Sequence, residues 1–298
     1  MNTFIIPTPP TFRFAPNLAY LNRDPKECMH HIQNDQVSKL IPTSHGNTLI
    51  QVREPAPNTL QITLPAITSP VPTSHQQEIT QYIHDWFDLD RDITPFYQLA
   101  KTDTLLHPAV QAHYGLRIIS IPDLFEALIW GIIGQQINLS FAYTLKRQFV
   151  EKFGTSTTHA GITYWTFPTP ATIASLTPED LTTIQFTTRK SEYTIGIAKL
   201  ITTGELSKQT LQQLPDLPAI EKSLTKIRGI GPWTANYVLM RCLRYPNAFP
   251  IDDIGLINAI KHALQMEQKP TKQEILNLAQ NWSNWEAYAT FYLWRTLY

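Results

Sequence analysis

The chain has 298 residues, of which 43% are hydrophobic, a size that allows two or three modules around substantial cores. Its 24 basic and 24 acidic residues cancel, so no overall positive field indicates a nucleic-acid partner, although a local basic face would not show in this sum. The two cysteines, Cys28 and Cys242, are too few for a disulfide framework, a zinc site or a four-cysteine iron–sulfur cluster.

The first residues lack the basic start and the apolar core of a signal peptide. The most apolar run, from Leu124 to Ile133, contains Glu126 and is too short to cross a bilayer. We therefore expect a soluble, intracellular protein without a membrane partner.

The first 80 residues are rich in Pro and Thr and contain short runs of β-forming residues. The clearest runs are Thr48–Arg53 and Thr59–Leu64, and the second alternates apolar and polar residues as a half-buried strand does. The segment Ile67–His75 has the Pro- and Ser-rich composition of a loop or linker. The sequence thus predicts an antiparallel β-rich domain over residues 1–80.

From Gln81 onward the apolar residues recur at helical spacings of three and four. The longest helical signal runs from Pro122 to Phe153, with a polar break at 134–138. Further helices are predicted at Thr177–Thr182, Ser191–Thr203, Glu221–Lys226, Thr234–Leu243, Ile254–Leu264, Thr271–Ala279 and Trp285–Leu297. The predicted fold class is therefore α+β, with an all-α body over residues 81–298 after the β-rich domain.

A glycine turn, Gly229-Ile230-Gly231, joins two of these predicted helices, and Pro232 is placed to begin the second one. Glycine allows positive φ and removes the Cβ that would hold a large ligand away from the backbone. The free N–H groups at the start of the second helix then suit a phosphate, a contact that does not depend on base sequence. Considered alone, such a turn is more simply a corner between two helices without a ligand.

The charges beside this turn favour a DNA contact over a simple corner. From Lys222 to Arg244 the chain has five basic residues and no acidic one. The five are Lys222, Lys226, Arg228, Arg241 and Arg244. A local positive surface of this kind attracts the phosphate backbone even when the whole chain is neutral.

An aspartate pair, Asp252 and Asp253, directly precedes the helix predicted to begin at Ile254. The simpler interpretation of such an aspartate is an N-cap, which contributes about 1 kcal/mol. The helix dipole that favours a cap also favours an ionised carboxylate. Because phosphates repel a carboxylate, one placed near DNA is better explained as the partner of a positive charge that develops in a reaction, such as an oxocarbenium ion on deoxyribose.

The chain resembles the helix-hairpin-helix (HhH-GPD) DNA glycosylase superfamily, and within it the bacterial 3-methyladenine DNA glycosylase II group. The resemblance depends on four motifs in the family's order, which together span roughly residues 81–298. They are Trp130–Ile137 (WGIIGQQI), Ile227–Tyr237 (IRGIGPWTANY), Phe249–Leu256 (FPIDDIGL) and Tyr288–Trp294 (YATFYLW). The resemblance implies two helical subdomains that flank an active-site cleft, preceded by a small β-domain.

The resemblance also implies roles for single residues. The family's catalytic aspartate aligns with Asp253, and Asp252 ranks second because relatives vary there. The residue that fills the space left by the extruded nucleotide aligns with Gln136, which is otherwise explained as a polar interruption between helices. The DNA-binding hairpin residues would be Gly229, Gly231 and Thr234. A Na⁺ or K⁺ ion held by backbone carbonyls is implied at Thr225, Ile227 and Gly229.

Trp233, Tyr237 and Trp294 are implied to form an aromatic pocket for the base, although Trp and Tyr residues are also common in cores. Relatives that also nick the DNA strand have a Schiff-base lysine at the position of Trp233. With no amine there, covalent lyase chemistry has no nucleophile, so the family implies a monofunctional enzyme without a required cofactor.

The expected function is excision of alkylated bases, of the 3-methyladenine type, from damaged duplex DNA by base flipping and aspartate-assisted hydrolysis. The expected enzyme is a monomer in the bacterial cytoplasm, acting at the nucleoid. Three alternatives stay open: a related glycosylase for oxidised or deaminated bases, a non-catalytic DNA-binding protein that uses the same hairpin, and a metabolic protein in which the glycine turn is only a corner.

Overall fold

The computed structural model describes residues 2–297. In this range the strands are β1 (Asn2–Pro7), β2 (His31–Gln33), β3 (Gln36–Thr43), β4 (Gly46–Ala56), β5 (Thr59–Leu64), β6 (Thr155–His159) and β7 (Ile162–Thr166). The helices are α1 (Phe14–Leu21), α2 (Thr73–Trp86), α3 (Thr94–Ala100), α4 (Leu106–Ala112), α5 (Leu124–Ile133), α6 (Leu139–Phe153), α7 (Pro170–Ala174), α8 (Pro178–Thr182), α9 (Thr188–Thr202), α10 (Lys208–Gln212), α11 (Leu217–Thr225), α12 (Pro232–Arg241), α13 (Ile254–Ala263), α14 (Lys272–Ala279) and α15 (Glu286–Trp294). A short 3₁₀-helix, Gln280–Trp282, follows α14.

The N-terminal domain is a five-stranded antiparallel sheet with the strand order β1-β5-β4-β3-β2. The predicted strand Thr48–Arg53 lies within β4, and the predicted strand Thr59–Leu64 coincides with β5. Apolar and polar residues alternate in β5 because one face of the strand packs in the core. Leu60, Ile62 and Leu64 are fully buried, and the residues between them are partly exposed. The predicted β-rich domain is confirmed.

The helical body follows the sheet, as the α+β fold class predicts. The long signal at Pro122–Phe153 is two helices, α5 and α6, and the predicted polar break separates them. The chain leaves β5 at Leu64 and enters α2 at Thr73, so residue 80, the predicted domain boundary, falls within α2. In residues 2–297 no helix has the length and apolar character needed to span a membrane.

The body also contains a two-stranded hairpin, β6–β7, that was not predicted from the sequence. Strand β6 is short, threonine-rich and mostly exposed, so it carries no alternation of buried residues. Strand β7 is placed by a contact with the N-terminal sheet, where Tyr164 packs against Leu40 and Leu49.

The N-terminal segment and the helical body share one hydrophobic core. The ring of Tyr20, in α1, lies 4.6 Å from that of Phe291, in α15. Beyond α1, the carboxylate of Glu27 forms a buried ion pair at 3.0 Å with Lys146, in α6. These contacts bring residues 20–27 against α6 and α15 of the body.

Candidate active site

The glycine turn lies between α11 and α12, as predicted. Gly229 has a φ of +96°, and a Cβ there would lie 2.4 Å from Cγ of Tyr193. Only glycine meets both conditions, because a side chain is strained at this φ and has no space. Gly231 is the N-cap of α12, and Pro232 is its first residue. Among the described residues, no side chain caps this helix. The backbone N–H groups of its first turn therefore have no capping partner that a ligand would have to displace.

A residue that the sequence analysis did not single out, Gln135, holds the turn against the end of α5. Its Nε2 donates a hydrogen bond to the carbonyl oxygen of Gly229 at 2.9 Å and another to Oγ1 of Thr234 at 3.3 Å. Thr234 is only 1% exposed, so it packs inside the protein beside the turn, and its predicted contact with DNA stays a prediction. The WGIIGQQI motif contained this residue, but its partner lies 94 residues away.

Asp253 is the N-cap of α13, and three donors converge on its carboxylate. Oδ1 accepts from the backbone amide of Leu256 at 2.8 Å and from Nε1 of Trp294 at 2.8 Å. Oδ2 accepts from Nε1 of Trp233 at 2.8 Å. Gly255 permits this arrangement, because a Cβ there would lie 3.1 Å from the Trp294 ring and 2.9 Å from Oδ1 of Asp253. The N-cap interpretation of Asp253 is therefore confirmed, and its role in a reaction stays a prediction.

No cation neutralises Asp253: within residues 2–297 no lysine, arginine or histidine lies within salt-bridge distance of it. Asp253 is 7% exposed, and the helix N-terminus and two indole N–H groups complement the negative charge of its carboxylate. It can therefore face a positive charge that forms beside it. Asp252, in contrast, is exposed and forms an ion pair with Lys272 at 3.1 Å. It does not line the cavity beside Asp253.

A cavity of about 240 Å³ opens beside Asp253. It is lined by Tyr20, Arg23, Trp130, Gly134, Ile137, Leu139, Ala142, Trp233, Tyr237, Arg241, Asp253, Ile254, Gly255, Trp294 and Leu297. The three predicted pocket residues lie together in its wall. The ring of Tyr237 stacks on that of Trp233 at 5.5 Å and lies 6.5 Å from that of Trp294. An aromatic wall next to a carboxylate suits a flat, cationic ligand.

Tyr237 belongs both to the core and to this wall. It is 4% exposed, and its hydroxyl accepts a hydrogen bond from Nη1 of Arg241 at 3.1 Å. The same guanidinium donates to the hydroxyl of Tyr20 at 2.9 Å and to the carbonyl of Ile119. Burial raises the pKa of Tyr237 to about 12, so the hydroxyl stays protonated at neutral pH.

The predicted basic surface beside the turn is smaller than the sequence indicated. Arg241 is 4% exposed and holds tyrosine hydroxyls, and Arg244 forms an ion pair with Asp85 at 2.8 Å. The prediction that Arg241 and Arg244 belong to the basic surface is therefore wrong. Lys222, Lys226 and Arg228 are exposed beside the turn, and Arg228 pairs with Glu192.

Gln136 lies in the turn between α5 and α6, with an exposed side chain and a φ of +59°. The end of α5 before it is fixed by Lys190, whose Nζ donates to the carbonyl of Ile133 at 2.7 Å. The neighbouring residues Gly134 and Ile137 line the cavity, so Gln136 stands at the cavity's margin. The role of Gln136 in filling the space left by an extruded nucleotide stays a prediction.

Comparisons with known proteins agree with this geometry. Residues 129–284 match the family described as HhH-GPD superfamily base excision DNA repair protein, and residues 20–128 match the N-terminal domain of 8-oxoguanine DNA glycosylase. A DNA-3-methyladenine glycosylase of Bacillus subtilis is 52% identical over 100% of this chain and 98% of its own. DNA-3-methyladenine glycosylase 2 of Escherichia coli is 29% identical over 62% of each chain.

The fold is likewise shared with a solved structure. A 3-methyladenine DNA-glycosylase from Archaeoglobus fulgidus superposes with a TM-score of 0.80 at 20% identity, covering 98% of this chain and 97% of that one. The family match covers more than half of the chain and includes the glycine turn, Asp253 and most of the cavity wall. This chain belongs to the HhH-GPD superfamily of base excision DNA repair proteins.

Proposed function

We propose that this protein is a monofunctional DNA glycosylase of the 3-methyladenine DNA glycosylase II type, which removes alkylated bases from duplex DNA. The observation that carries the proposal is the Asp253 carboxylate at the wall of an aromatic cavity. It accepts hydrogen bonds from three N–H donors and has no ion-pair partner among residues 2–297. The Bacillus subtilis relative, named a DNA-3-methyladenine glycosylase, supports the substrate class.

The target nucleotide must leave the base stack, since Asp253 and the cavity cannot reach a base inside a duplex, and extrusion costs a few kcal/mol. Gln136 would fill the space it leaves. The base would enter the cavity beside Trp233, Tyr237 and Trp294. N-alkylated purines are cationic or electron-poor, so each ring they face contributes roughly 0.5–2 kcal/mol.

The reaction breaks the bond between C1′ of the sugar and the base nitrogen. The electron pair stays on the base, which leaves neutral because alkylation had made it cationic. The positive charge moves to the sugar, where Asp253 stabilises it, and water adds to C1′ and loses a proton to the carboxylate or to solvent. An alkylated base is a good leaving group, so a separate general acid is not needed.

The monofunctional assignment is supported by Trp233. Its indole N–H donates to Asp253, so this side chain occupies the place next to the carboxylate where a lyase needs an amine. Among the described residues that line the cavity there is no lysine. Hydrolysis by water is the chemistry left for this site.

DNA would be held by the backbone amides at the start of α12 together with Gly229 and Gly231, as part of the same proposal. The carbonyls of Thr225, Ile227 and Gly229 would hold a Na⁺ or K⁺ ion at the turn. Those of Ile227 and Gly229 already accept hydrogen bonds from Ile230 N at 3.0 Å and Gln135 Nε2 at 2.9 Å. A carbonyl oxygen has a second lone pair, so the set fits a weakly bound monovalent cation. The enzyme would act as a monomer on DNA in the cytoplasm.

A base-release assay tests the proposal. Duplexes carrying methylated bases, 8-oxoguanine or hypoxanthine are incubated with the protein, and Asp253→Asn serves as the control. Release from methylated DNA that depends on Asp253 is the expected result. Release confined to 8-oxoguanine or hypoxanthine would indicate the related glycosylase class, and binding without any release would indicate a non-catalytic DNA-binding protein.

A further inference from the structure

The base cavity has one cationic wall that comes from the N-terminal domain. Arg23 follows α1, is half-buried and lines the cavity together with Tyr20. None of the four family motifs of the helical body includes Arg23. Arg23 therefore places a guanidinium in the cavity that, in the proposed function, receives the damaged base.

Apart from Trp130, which also lines the cavity, the other N–H-bearing side chains of the wall already donate hydrogen bonds within the protein. The indoles of Trp233 and Trp294 donate to Asp253. Arg241 donates to the hydroxyls of Tyr20 and Tyr237 and to a backbone carbonyl. Within residues 2–297, the guanidinium of Arg23 makes one hydrogen bond, from Nη1 to the carbonyl of Tyr20 at 2.9 Å. Its Nε–H and its Nη2 hydrogens are left for a ligand.

The guanidinium is also held in place before any ligand arrives. Its Cζ lies 4.0 Å from the centroid of the Tyr20 ring and 5.6 Å from that of Tyr143. Tyr20 is 2% exposed and fixed at its hydroxyl by Arg241, so the platform under Arg23 is rigid. A stacked, planar fork loses little rotamer freedom when it binds two acceptors, and this is the geometry in which arginine recognises bases.

We infer that Arg23 is a specificity-determining residue that recognises the acceptor edge of an extruded 6-keto purine. This inference rests on the proposed glycosylase function. A guanine-type base presents two acceptors side by side, O6 and N7, which match the fork. An adenine-type base presents N7 beside an amino group, and that amino group opposes an N–H donor. Arg23 therefore favours 3-methylguanine over 3-methyladenine, two bases with the same methylated position and different edges.

Because Arg23 is positively charged, a cationic base needs both of its acceptors, O6 and N7, to bind next to it. A base methylated at N3 is cationic while attached to the sugar, so a guanidinium next to it is unfavourable unless hydrogen bonds offset the repulsion. When the C1′–N bond breaks, the electron pair stays on the base and the repulsion ends. A base that offers O6 and N7 keeps both hydrogen bonds through this change, whereas an adenine-type base keeps at most one.

The test uses one reaction with two products. Randomly methylated duplex DNA is incubated with the full-length protein, and the released 3-methylguanine and 3-methyladenine are separated and quantified as initial rates. For Arg23→Met we expect the ratio of 3-methylguanine to 3-methyladenine to fall by about tenfold or more, which is the discrimination of one bidentate contact. Arg23→Lys keeps the charge without the fork, and we expect most of the same fall.

Arg53→Met is the matched control, since Arg53 is exposed on β4 in the same domain and donates a hydrogen bond to Gln61, and neither residue lines the cavity. Its product ratio should equal that of the unmodified protein. An Arg23→Met ratio within twofold of the unmodified protein would overturn the inference, whether the total rate stays or falls, because a phosphate-contacting or structural arginine lowers both products alike. Failure of the unmodified protein to release either base would instead reject the glycosylase proposal itself.

Discussion

The indole nitrogen of Trp233 lies 2.8 Å from Oδ2 of Asp253, and this hydrogen bond joins the DNA-binding hairpin to the candidate catalytic carboxylate. Trp233 is the second residue of α12, directly after the glycine turn, and Asp253 caps α13. A phosphate bound at the start of α12 is thereby tied to the position of the carboxylate. In the proposed function, DNA binding and charge stabilisation at the sugar would share this hydrogen bond.

Replacing Asp253 with Asn should remove base release while DNA binding remains. Asn is as good an N-cap as Asp, so the bond to Leu256 N survives and the fold is kept. The loss of a charge that stabilises the sugar cation should lower single-turnover release by about 10²-fold or more. Release is measured on methylated duplex DNA and binding by fluorescence anisotropy; an Asn variant that releases bases at the normal rate would remove Asp253 from the mechanism.

Trp233→Phe should separate the role of the indole N–H from that of the ring. The ring that stacks on Tyr237 is kept, but the donor to Asp253 is lost. A hydrogen bond to a charged group contributes about 1.5–3 kcal/mol, so we expect release to fall by roughly 10- to 100-fold. DNA affinity should change little. If the Phe variant matches the unmodified enzyme in a release assay, the contact is dispensable for catalysis.

The two glycines of the turn should respond differently to alanine. Gly229→Ala forces a side chain onto a φ of +96° and against Tyr193, so the melting temperature should fall, with a cost of about 1–3 kcal/mol from the backbone strain alone. Gly231→Ala meets no heavy atom within 4 Å, so the melting temperature should stay the same. DNA affinity should nevertheless fall for Gly231→Ala, since its Cβ enters the space that a phosphate needs. Equal melting temperatures for the two variants would contradict this account.

Gln136→Gly should impair extrusion of the base without disturbing the fold. The φ of +59° at this position suits glycine, and the side chain is exposed, so thermal stability should be kept. Without a side chain to fill the space in the duplex, release from paired DNA should fall by about tenfold or more, because extrusion costs a few kcal/mol. Release from single-stranded DNA is the comparison, and a similar loss on both substrates would argue against the filling role.

The Glu27–Lys146 pair should make stability depend on acid. Burial by itself would raise the pKa of Glu27, but the Lys146 ammonium and backbone amides outweigh it and hold this pKa well below its usual range. The folded state therefore binds fewer protons than the unfolded state, so the stabilisation is complete above a pH of about 5 and is lost as the pH falls. Burial also lowers the pKa of neighbouring His30 to about 4, which adds to the loss below a pH of about 6.5.

Glu27→Gln should destabilise the protein at neutral pH, but by less than the roughly 3–5 kcal/mol of a fully broken buried pair, because Lys146 keeps a longer ion pair with Glu126 at 3.6 Å. The difference from the unmodified protein should shrink as the pH is lowered towards 3. Unfolding curves at several pH values measure both effects, and Glu267→Gln, at an exposed site, is the control. A gap that stays constant down to acid pH would show that the pair does not govern this dependence.

Much of the local structure could be predicted because its causes lie within a few residues. Apolar spacing placed α5, α6 and α13, and the capping position of Asp253 followed from the helix behind it. The same local reasoning misjudged Arg241 and Arg244, since neighbours in sequence do not reveal that one guanidinium faces tyrosines and the other faces Asp85. It also gave no signal for the exposed strand β6.

The sequence by itself determined the α+β order of the chain, the glycine turn, and a carboxylate at a helix start, because backbone conformation and capping depend on adjacent residues. Only the tertiary structure decided what surrounds that carboxylate. Trp233 and Trp294 reach Asp253 across 20 and 41 residues, and Arg23 arrives at the same cavity from the N-terminal domain. Such meetings follow from the packing of the shared core, which brings distant segments together and leaves no periodic or local pattern in the chain.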